Sequence, residues 1–124
     1  KDTFFETKIL NEIKKQGVTL ICLAGYMKIL SKSFINNFKG KIINLHPSLL
    51  PKYKGVNTFQ RVLKNKEKLT GCTVHYVNER LDSGRIINRK IMNISNDDTI
   101  HTLKKRTQKL EYRAFSEAVI KINI

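Results

Sequence analysis

The chain opens on a helical pattern of apolar residues. Over residues 3–16, apolar side chains recur at helical spacing, most clearly at Phe5, Ile9 and Ile13. On a helix this spacing gathers them into one stripe, and Gly17, directly afterwards, is a typical helix stop. The pattern predicts an amphipathic helix that packs its stripe against the rest of the domain.

Two strand-like runs and two short helices follow. Residues 18–24 are apolar almost throughout, which predicts a strand buried on both faces of a parallel sheet. Ser31 is a typical cap for a helix over residues 31–38, and residues 41–44 form the next strand. Strand, helix and strand in this order predict a right-handed crossover. Residues 58–65 read as a second short helix.

In the last third of the chain, the sequence pattern predicts two strands and a long helix. The strands cover residues 70–77 and 85–92, and residues 78–84 between them are too many for a tight hairpin, so they predict a shaped loop. A long helix is predicted to start at Asp97 or Asp98. Its expected apolar stripe comprises Ile100, Leu103, Thr107, Leu110, Ala114 and Val119. The fold class is α/β, an open mixed sheet with flanking helices.

Length and composition restrict the class of protein. The 124 residues suit a single domain, residues 1–124, whose core needs no disulfides. Cys22 and Cys72 lie in strand-like runs and are expected to be buried, reduced thiols. The sequence has no signal peptide and no apolar run long enough to span a bilayer, so we expect a cytoplasmic protein without a membrane partner.

The formal net charge of +14 raises the question of a nucleic-acid partner. The basic residues are scattered along the chain rather than collected in one stripe with aromatic residues, and such lysine clusters usually lie on solvated helix faces. We therefore expect nucleic acid not to be the main partner. A basic surface instead favours anionic small molecules.

The most informative segment is the irregular one that begins at Asn44. Asn44 and His46 stand two residues apart at the end of a predicted strand, so their side chains project on the same side. Pro47 and Pro51 keep the following loop irregular. An amide can donate to a carbonyl oxygen that develops negative charge, and an imidazole can carry a proton near neutral pH. The pair suits transfer of an acyl-type group, although Asn-x-His before a proline-rich loop is also common turn chemistry.

Other candidate groups have ordinary structural explanations. His75 lies in the middle of a predicted strand and is expected to be a packed residue, or one that supports a functional residue, rather than a catalyst. Asp82, before Ser83 and Gly84, could be a turn acid. The histidines and the aspartate lack the close spacing of metal ligands, so no metal is expected. Cys72 lies beside no candidate base in the sequence, which argues against a nucleophilic role.

Four segments, in this order and at these spacings, resemble one family of enzymes. They cover residues 24–30, 44–54, 71–77 and 81–84. Asn-x-His-Pro-Ser-Leu-Leu-Pro with a later Leu-Asp-x-Gly is specific for the folate formyltransferase superfamily. The Lys-Tyr-Lys-Gly end of the loop and the Ala-Gly-Tyr-Met-Lys-Ile-Leu segment favour the phosphoribosylglycinamide formyltransferases over the methionyl-tRNA and deformylating branches.

The resemblance implies a reaction and its catalytic residues. A formyl group would pass from 10-formyltetrahydrofolate, the one cofactor implied, to the amine of 5'-phosphoribosylglycinamide in purine biosynthesis. The implied catalytic residues are Asn44, His46 and Asp82. Asp82 would orient the His46 imidazole and favour its protonated form. A basic surface would also suit a phosphorylated substrate or a polyglutamylated folate.

The resemblance further implies two sets of binding residues. The folate would lie between two walls together with Asn44, and the positions concerned are Met27, Lys28, Ile29 and Leu30 on one side and Asn78, Glu79, Arg80, Leu81 and Asp82 on the other. The phosphoribosylglycinamide would contact Pro47 in the loop and Gln108 and Glu111 on the last helix. Without the resemblance, Gln108 and Glu111 would pass for a solvated pair at positions i and i+3.

The resemblance covers only the later part of the family's pattern. The family's first strands and its glycine-rich loop, which holds the substrate phosphate, have no counterpart here. A basic residue that assists folate binding is expected near Lys1 or Asp2, and Asp2 does not supply it. We therefore expect an N-terminally truncated formyltransferase domain, either a fragment or a reduced relative. Two alternatives stay open: a 10-formyltetrahydrofolate hydrolase, and a folate-binding remnant without turnover.

Overall fold

A computed structural model describes residues 3–24 and 30–122 of the chain, and in this part four helices flank a four-stranded sheet. In chain order the elements are α1 (Thr3–Gln16), β1 (Leu20–Ala24), α2 (Lys32–Asn37), β2 (Lys41–His46), α3 (Thr58–Lys64), β3 (Leu69–Tyr76), β4 (Ile86–Asn93) and α4 (Ile100–Ile122). The α/β class and each predicted element are confirmed.

The sheet is mixed, as the sequence predicted. Its strand order is β1-β2-β3-β4, with β1 parallel to β2 and the other two pairings antiparallel. The strand β2 is two residues longer than expected and includes Asn44 and His46, because β3 continues to pair with it as far as His46 opposite Thr73.

Each face of the sheet carries its own apolar cluster. On one face, α4 packs against alternate strand residues of β2 and β3, including Ile43, Leu45 and Val74. On the other face, α1 and α2 cover Ile42, and Phe34 of α2 is buried in the same cluster. Since neighbouring strand residues point to opposite faces, Asn44 and His46 share the face of Ile42, away from α4.

The predicted ends of the two N-terminal helices are confirmed. Gly17 adopts φ of +67°, and the amide of Val18 donates to the Ile13 carbonyl, which closes the end of α1. Ser31 caps α2 by accepting from the amide of Phe34 at 3.0 Å. The buried carboxylate of Glu6 in α1 accepts both the amide and the hydroxyl of Ser31, and so joins the two helices.

The prediction that β1 is buried on both faces is wrong. Leu20, Ile21 and Leu23 are partly buried and Cys22 and Ala24 are exposed, because β1 is an edge strand of the described sheet. The expectation of a buried Cys22 fails for the same reason, and the side chain is exposed. The prediction for Cys72, which lies in the central strand β3, is confirmed: it is fully buried.

The predicted start and stripe of the last helix need correction. The helix begins at Ile100 because Thr99 caps it, accepting from the amide of Thr102 at 3.2 Å. Asp98 instead closes a turn by accepting from the amide of Ser95. The buried residues of α4 are Leu103, Thr107, Ala114, Ala118 and Ile122, whereas Ile100 and Val119 of the expected stripe are exposed.

Over the described residues, no helix combines the length and the apolar character needed to cross a membrane.

Candidate active site

Two adjacent strands bring three polar side chains to one place. In β2, Asn44 and His46 point to the same face of the sheet. In β3, His75 lies directly opposite Asn44 in the antiparallel register, so its side chain shares that face. His46 and His75 are 5% and 2% exposed, which makes them buried polar groups that need partners.

The fourth member, Asp82, comes from the loop after β3. Gly84 lets this loop approach the strand, because a Cβ there would lie 1.7 Å from the carbonyl oxygen of Tyr76. Asp82 itself adopts φ of +48°, a conformation that aspartate tolerates better than most residues. Its carboxylate accepts the amide of Gly55 at 2.8 Å. The two loops predicted to meet at one edge of the sheet therefore do meet.

The carboxylate of Asp82 lies between the two imidazoles. Its Oδ2 is 3.5 Å from Nδ1 of His46, and its Oδ1 is 3.8 Å from Nε2 of His75. Asn44 completes the group, with its Nδ2 3.3 Å from Nε2 of His75. We call these four residues the polar cluster. The structure thus brings the three predicted catalytic residues together, although Asn44 reaches Asp82 through His75.

The contacts of His75 fix its tautomer. Its Nδ1 donates to the Tyr76 carbonyl at 2.9 Å, which leaves Nε2 of the neutral ring to accept from the Asn44 amide. Burial lowers the pKa of His75, and the Tyr76 carbonyl and the Asp82 carboxylate only partly oppose that effect. His75 is therefore neutral near pH 7 and orients Asn44 as a hydrogen-bond donor.

His46 is engaged by protein on both sides of its ring. Its Nε2 donates to the backbone carbonyl of Tyr53 at 2.8 Å, while Nδ1 faces Asp82. Ser48 supports the same loop by donating to the Lys52 carbonyl at 2.6 Å. A ligand that takes a proton from His46 Nε2 must therefore displace the Tyr53 carbonyl.

The two predicted folate walls are described unequally. Met27, Lys28 and Ile29 lie outside the described residues. Leu30 is buried with Phe34 in the apolar cluster beneath α1 and α2, so its side chain anchors the end of that wall. In the opposite loop, Asn78, Glu79, Arg80 and Leu81 are exposed and Asp82 is buried.

The predicted substrate residues lie in two separate parts of the structure. Pro47 is partly buried directly after His46, whereas Gln108 is exposed and Glu111 is half-buried on α4, across the sheet from the cluster. Burial raises the pKa of the Glu111 carboxyl.

Burial, together with the Glu111 carboxylate, raises the pKa of the Cys72 thiol to about 12. Cys72 is thus an inert thiol at neutral pH.

Three contacts of the site were not predicted from the sequence. His75 belongs to the polar cluster, the Gly55 amide binds Asp82, and the Tyr53 carbonyl binds His46. The strand that contains His75 was predicted correctly, but no pattern in the sequence indicates which residue of β2 lies opposite it. In the described part of the chain, no group of three His, Cys, Asp or Glu side chains is arranged to hold a metal ion.

Comparison with known proteins identifies the family of the chain. A family model, "Formyl transferase", matches residues 1–119. A phosphoribosylglycinamide formyltransferase of Haemophilus influenzae is 46% identical over 103 residues, which is 83% of this chain and 49% of that protein. A trifunctional purine biosynthetic protein, adenosine-3, of Chironomus tentans is 44% identical over 115 residues, 93% of this chain and 8% of that protein.

The fold matches solved structures equally well. The phosphoribosylglycinamide formyltransferase of Brucella melitensis superimposes with a TM-score of 0.91 at 41% identity, over 98% of this chain and 62% of that one. The chain thus spans about half the length of its Haemophilus relative. Because the family pattern extends over nearly the whole sequence and includes the cluster just described, the chain belongs to the formyl transferase family.

Proposed function

We propose that the polar cluster transfers a formyl group from 10-formyltetrahydrofolate to the amine of 5'-phosphoribosylglycinamide. The observation that carries the proposal is the contact of one carboxylate, Asp82, with the two imidazoles of His46 and His75 at the end of β2. Relatives named for this activity support the choice of substrates.

Asn44 stabilises the charge that develops in the reaction. As the acceptor amine attacks the formyl carbon, the formyl oxygen gains negative charge, and a donor aimed at it lowers the barrier. One hydrogen of the Asn44 amide is bound by the neutral His75, so the amide is held in a fixed orientation. The second hydrogen of Nδ2 is the donor that we assign to the formyl oxygen.

His46 and Asp82 handle the protons. The acceptor nitrogen loses one proton when its bond to the formyl carbon forms, and the folate nitrogen gains one when its bond to that carbon breaks. His46 lies beside Asp82 at 3.5 Å and can hold the proton between these events. Its Nε2 reaches the reacting groups when they replace the Tyr53 carbonyl as its partner.

The folate site belongs to the same proposal. We place the folate against residues 27–30 on one side and residues 78–82 on the other, near Asn44, with the phosphoribosylglycinamide next to Pro47, Gln108 and Glu111. The exposed residues Asn78, Glu79, Arg80 and Leu81 between β3 and β4 are available for such contacts, and Glu79 lies 3.7 Å from Lys32. The reaction would take place in the cytoplasm.

A three-way assay tests the proposal. The 124-residue chain is given 10-formyl-5,8-dideazafolate with and without phosphoribosylglycinamide, and both formylated product and free formate are measured. Product that depends on the amine supports the proposal. Formate release without the amine identifies a hydrolase, and folate binding without either product identifies a remnant that binds but does not turn over.

A further inference from the structure

Tyr53 joins the polar cluster to a second part of the molecule. Its backbone carbonyl accepts a hydrogen bond from Nε2 of His46 at 2.8 Å, and its phenol hydroxyl donates to the carboxylate of Glu67 at 2.6 Å. We infer that Tyr53 is a positioning residue, which holds His46 in a resting state that the reactants must release. The inference rests on the proposed function, because it assigns a role to a neighbour of the proposed proton carrier.

The backbone of Tyr53 adopts a conformation that is unfavourable for tyrosine. Its φ is +58°, in the left-handed region that glycine and asparagine occupy far more readily. A residue stays in this region only when the surrounding structure holds it there. Because the direction of a carbonyl follows from the backbone dihedral angles, the contacts that hold this conformation also aim the Tyr53 carbonyl at His46.

Side chains from α3 and the turn after it supply that support. The Tyr53 hydroxyl accepts from the side-chain amide of Asn65 at 2.9 Å while it donates to Glu67. The guanidinium of Arg61 lies 5.5 Å from the centre of the Tyr53 ring, which is a cation–π distance. The hydrogen bond from Tyr53 is also the main cause that lowers the pKa of the Glu67 carboxyl, so the acceptor is ionised at neutral pH. Tyr53 is thus fixed by contacts outside the polar cluster.

The Tyr53 carbonyl decides which nitrogen of His46 carries the proton. A carbonyl only accepts hydrogen bonds, so Nε2 carries a proton while this contact lasts. Without the contact, a neutral ring places its one proton on Nδ1, because the Asp82 carboxylate lies 3.5 Å away and is a stronger acceptor than a neutral group. The proton moves from Nε2 to Nδ1 through solvent, and the charge of the ring is unchanged. Nε2 then has the free lone pair that removal of a proton from the acceptor amine requires.

Nitrogen NMR of the histidine rings tests this assignment. The ring resonances show which nitrogen carries a proton, and the chain has only three histidines to resolve. The 124-residue chain is labelled in its histidines with the NMR-active nitrogen isotope. Spectra are recorded at about pH 9, well above the ordinary histidine pKa of about 6.5. The variants compared are Tyr53→Phe, Glu67→Ala, Glu67→Gln and Lys52→Ala.

Two of these variants weaken the support of Tyr53 and two are controls. Glu67→Gln keeps an oxygen that can accept from the Tyr53 hydroxyl, and Lys52→Ala removes only the ion pair with Glu67 at 3.5 Å. In both controls, as in the original chain, we expect Nε2 of His46 to carry the proton. In Tyr53→Phe and Glu67→Ala, the ratio of rings with the proton on Nδ1 to rings with it on Nε2 should rise about tenfold, because one hydrogen bond to a charged group is lost.

His75 separates this result from a general loosening of the fold. Its Nδ1 donates to the Tyr76 carbonyl, and its spectrum should be the same in every chain. An unchanged His46 spectrum in Tyr53→Phe and Glu67→Ala overturns the inference. A change of equal size in either control, or a parallel change at His75, overturns it as well. If Tyr53→Phe does not fold, Glu67→Ala gives the same decision.

Kinetics tests whether the release of His46 matters to the reaction. If only a share of the chains has released His46, weaker holding raises that competent share and tightens apparent binding. For Tyr53→Phe and Glu67→Ala we expect KM for phosphoribosylglycinamide to fall about three- to tenfold, with kcat within about twofold. An unchanged or raised KM overturns the inference. If the original chain makes no formylated product, the proposed function fails, and the NMR result alone decides about Tyr53.

Discussion

The polar cluster and a basic groove next to it use charge in opposite ways. The groove is lined by Lys54, Val56, Asn57, Gln60, Arg61 and Lys64. In the cluster, the side chains of His46, His75 and Asp82 are at most 9% exposed, and protein groups take up their polar atoms. In the groove, Lys54 and Lys64 are exposed and unpaired with carboxylates of the described residues. The first arrangement suits a catalytic site, and the second suits a surface that attracts anions.

The physical difference lies in the surrounding medium. Charges that are shielded from water interact strongly and are little affected by salt, whereas exposed charges are screened within about 10 Å at 0.1 M ionic strength. A substitution in the cluster should therefore change the rate of reaction or the response to pH. A substitution in the groove should change the affinity for anions and its dependence on salt.

The largest effect is expected at Asp82. Replacement by Asn keeps an oxygen that can accept from the Gly55 amide but removes the charge between the imidazoles. We expect kcat for formyl transfer to fall roughly 10²–10⁴-fold, with a smaller change in KM. Steady-state kinetics checks this, with the exposed Asp97→Asn as the control. An unchanged kcat would remove Asp82 from the mechanism.

Asn44 should show the next largest effect. Asn44→Ala removes the donor assigned to the formyl oxygen, and kcat is expected to fall about 10²–10³-fold, equivalent to about 2.7–4 kcal/mol of barrier. Folate affinity, measured by fluorescence titration, should change much less. Asn11→Ala, at an exposed position of α1, is the control. A rise in KM with kcat preserved would assign Asn44 to substrate binding instead.

The packing below the site is tested at Glu6. Glu6→Ala leaves the amide of Ser31 without its partner in a buried position, so we expect unfolding in urea to show a loss of about 1–3 kcal/mol. Glu12→Ala, an exposed carboxylate of the same helix, should cost much less. Equal losses in the two variants would mean that the contact between α1 and α2 does not depend on Glu6.

His75 should make stability depend on pH. Its pKa in the folded chain is lowered below the ordinary value of 6.5, so the unfolded chain takes up the proton first as the pH falls. Stability should be complete above pH 6.5 and decline as the pH drops from there through the folded-state pKa. Urea titrations across this range should show a flatter profile for His75→Gln than for the control His101→Gln. Identical slopes would exclude His75 as the source.

The smallest effect is expected in the groove itself. Lys64→Ala removes an exposed charge and should change the free energy of unfolding by less than about 0.5 kcal/mol. Val62→Ala, two residues earlier in α3 at a site 1% exposed, should cost at least about 1 kcal/mol. Thermal and urea unfolding of the pair measure both. A large loss for Lys64→Ala would mean that the groove is part of the folding core.

Local sequence patterns were sufficient for most of the fold. The spacing of Phe5, Ile9 and Ile13 with Gly17 gave α1 and its end, and Ser31 gave the start of α2, because caps and stripes are properties of neighbouring residues. The helix α4 shows the limit. Thr99 and Asp98 are both good capping residues, and only the turn that Asp98 closes with Ser95 decides between them.

Three of the four residues of the polar cluster were predicted from the sequence, but the contacts between them were not. A motif shared with a family pointed to Asn44, His46 and Asp82 together, and their roles stay predictions. The place of His75 depends on which residue of β3 lies opposite Asn44. Register of this kind is set by contacts between distant segments, which no local pattern encodes.

By itself, the sequence determined the order of helices and strands, the polar residues at the end of β2 and the family to which they belong. Only the tertiary structure decided that β1 is an edge strand with Cys22 exposed, and that α4 covers the face opposite His46. It alone also decided that Lys54, Arg61 and Lys64 collect in one groove next to Asp82. The physical reason is that exposure and proximity depend on which segments pack together, whereas helix and strand formation depends mainly on neighbours along the chain.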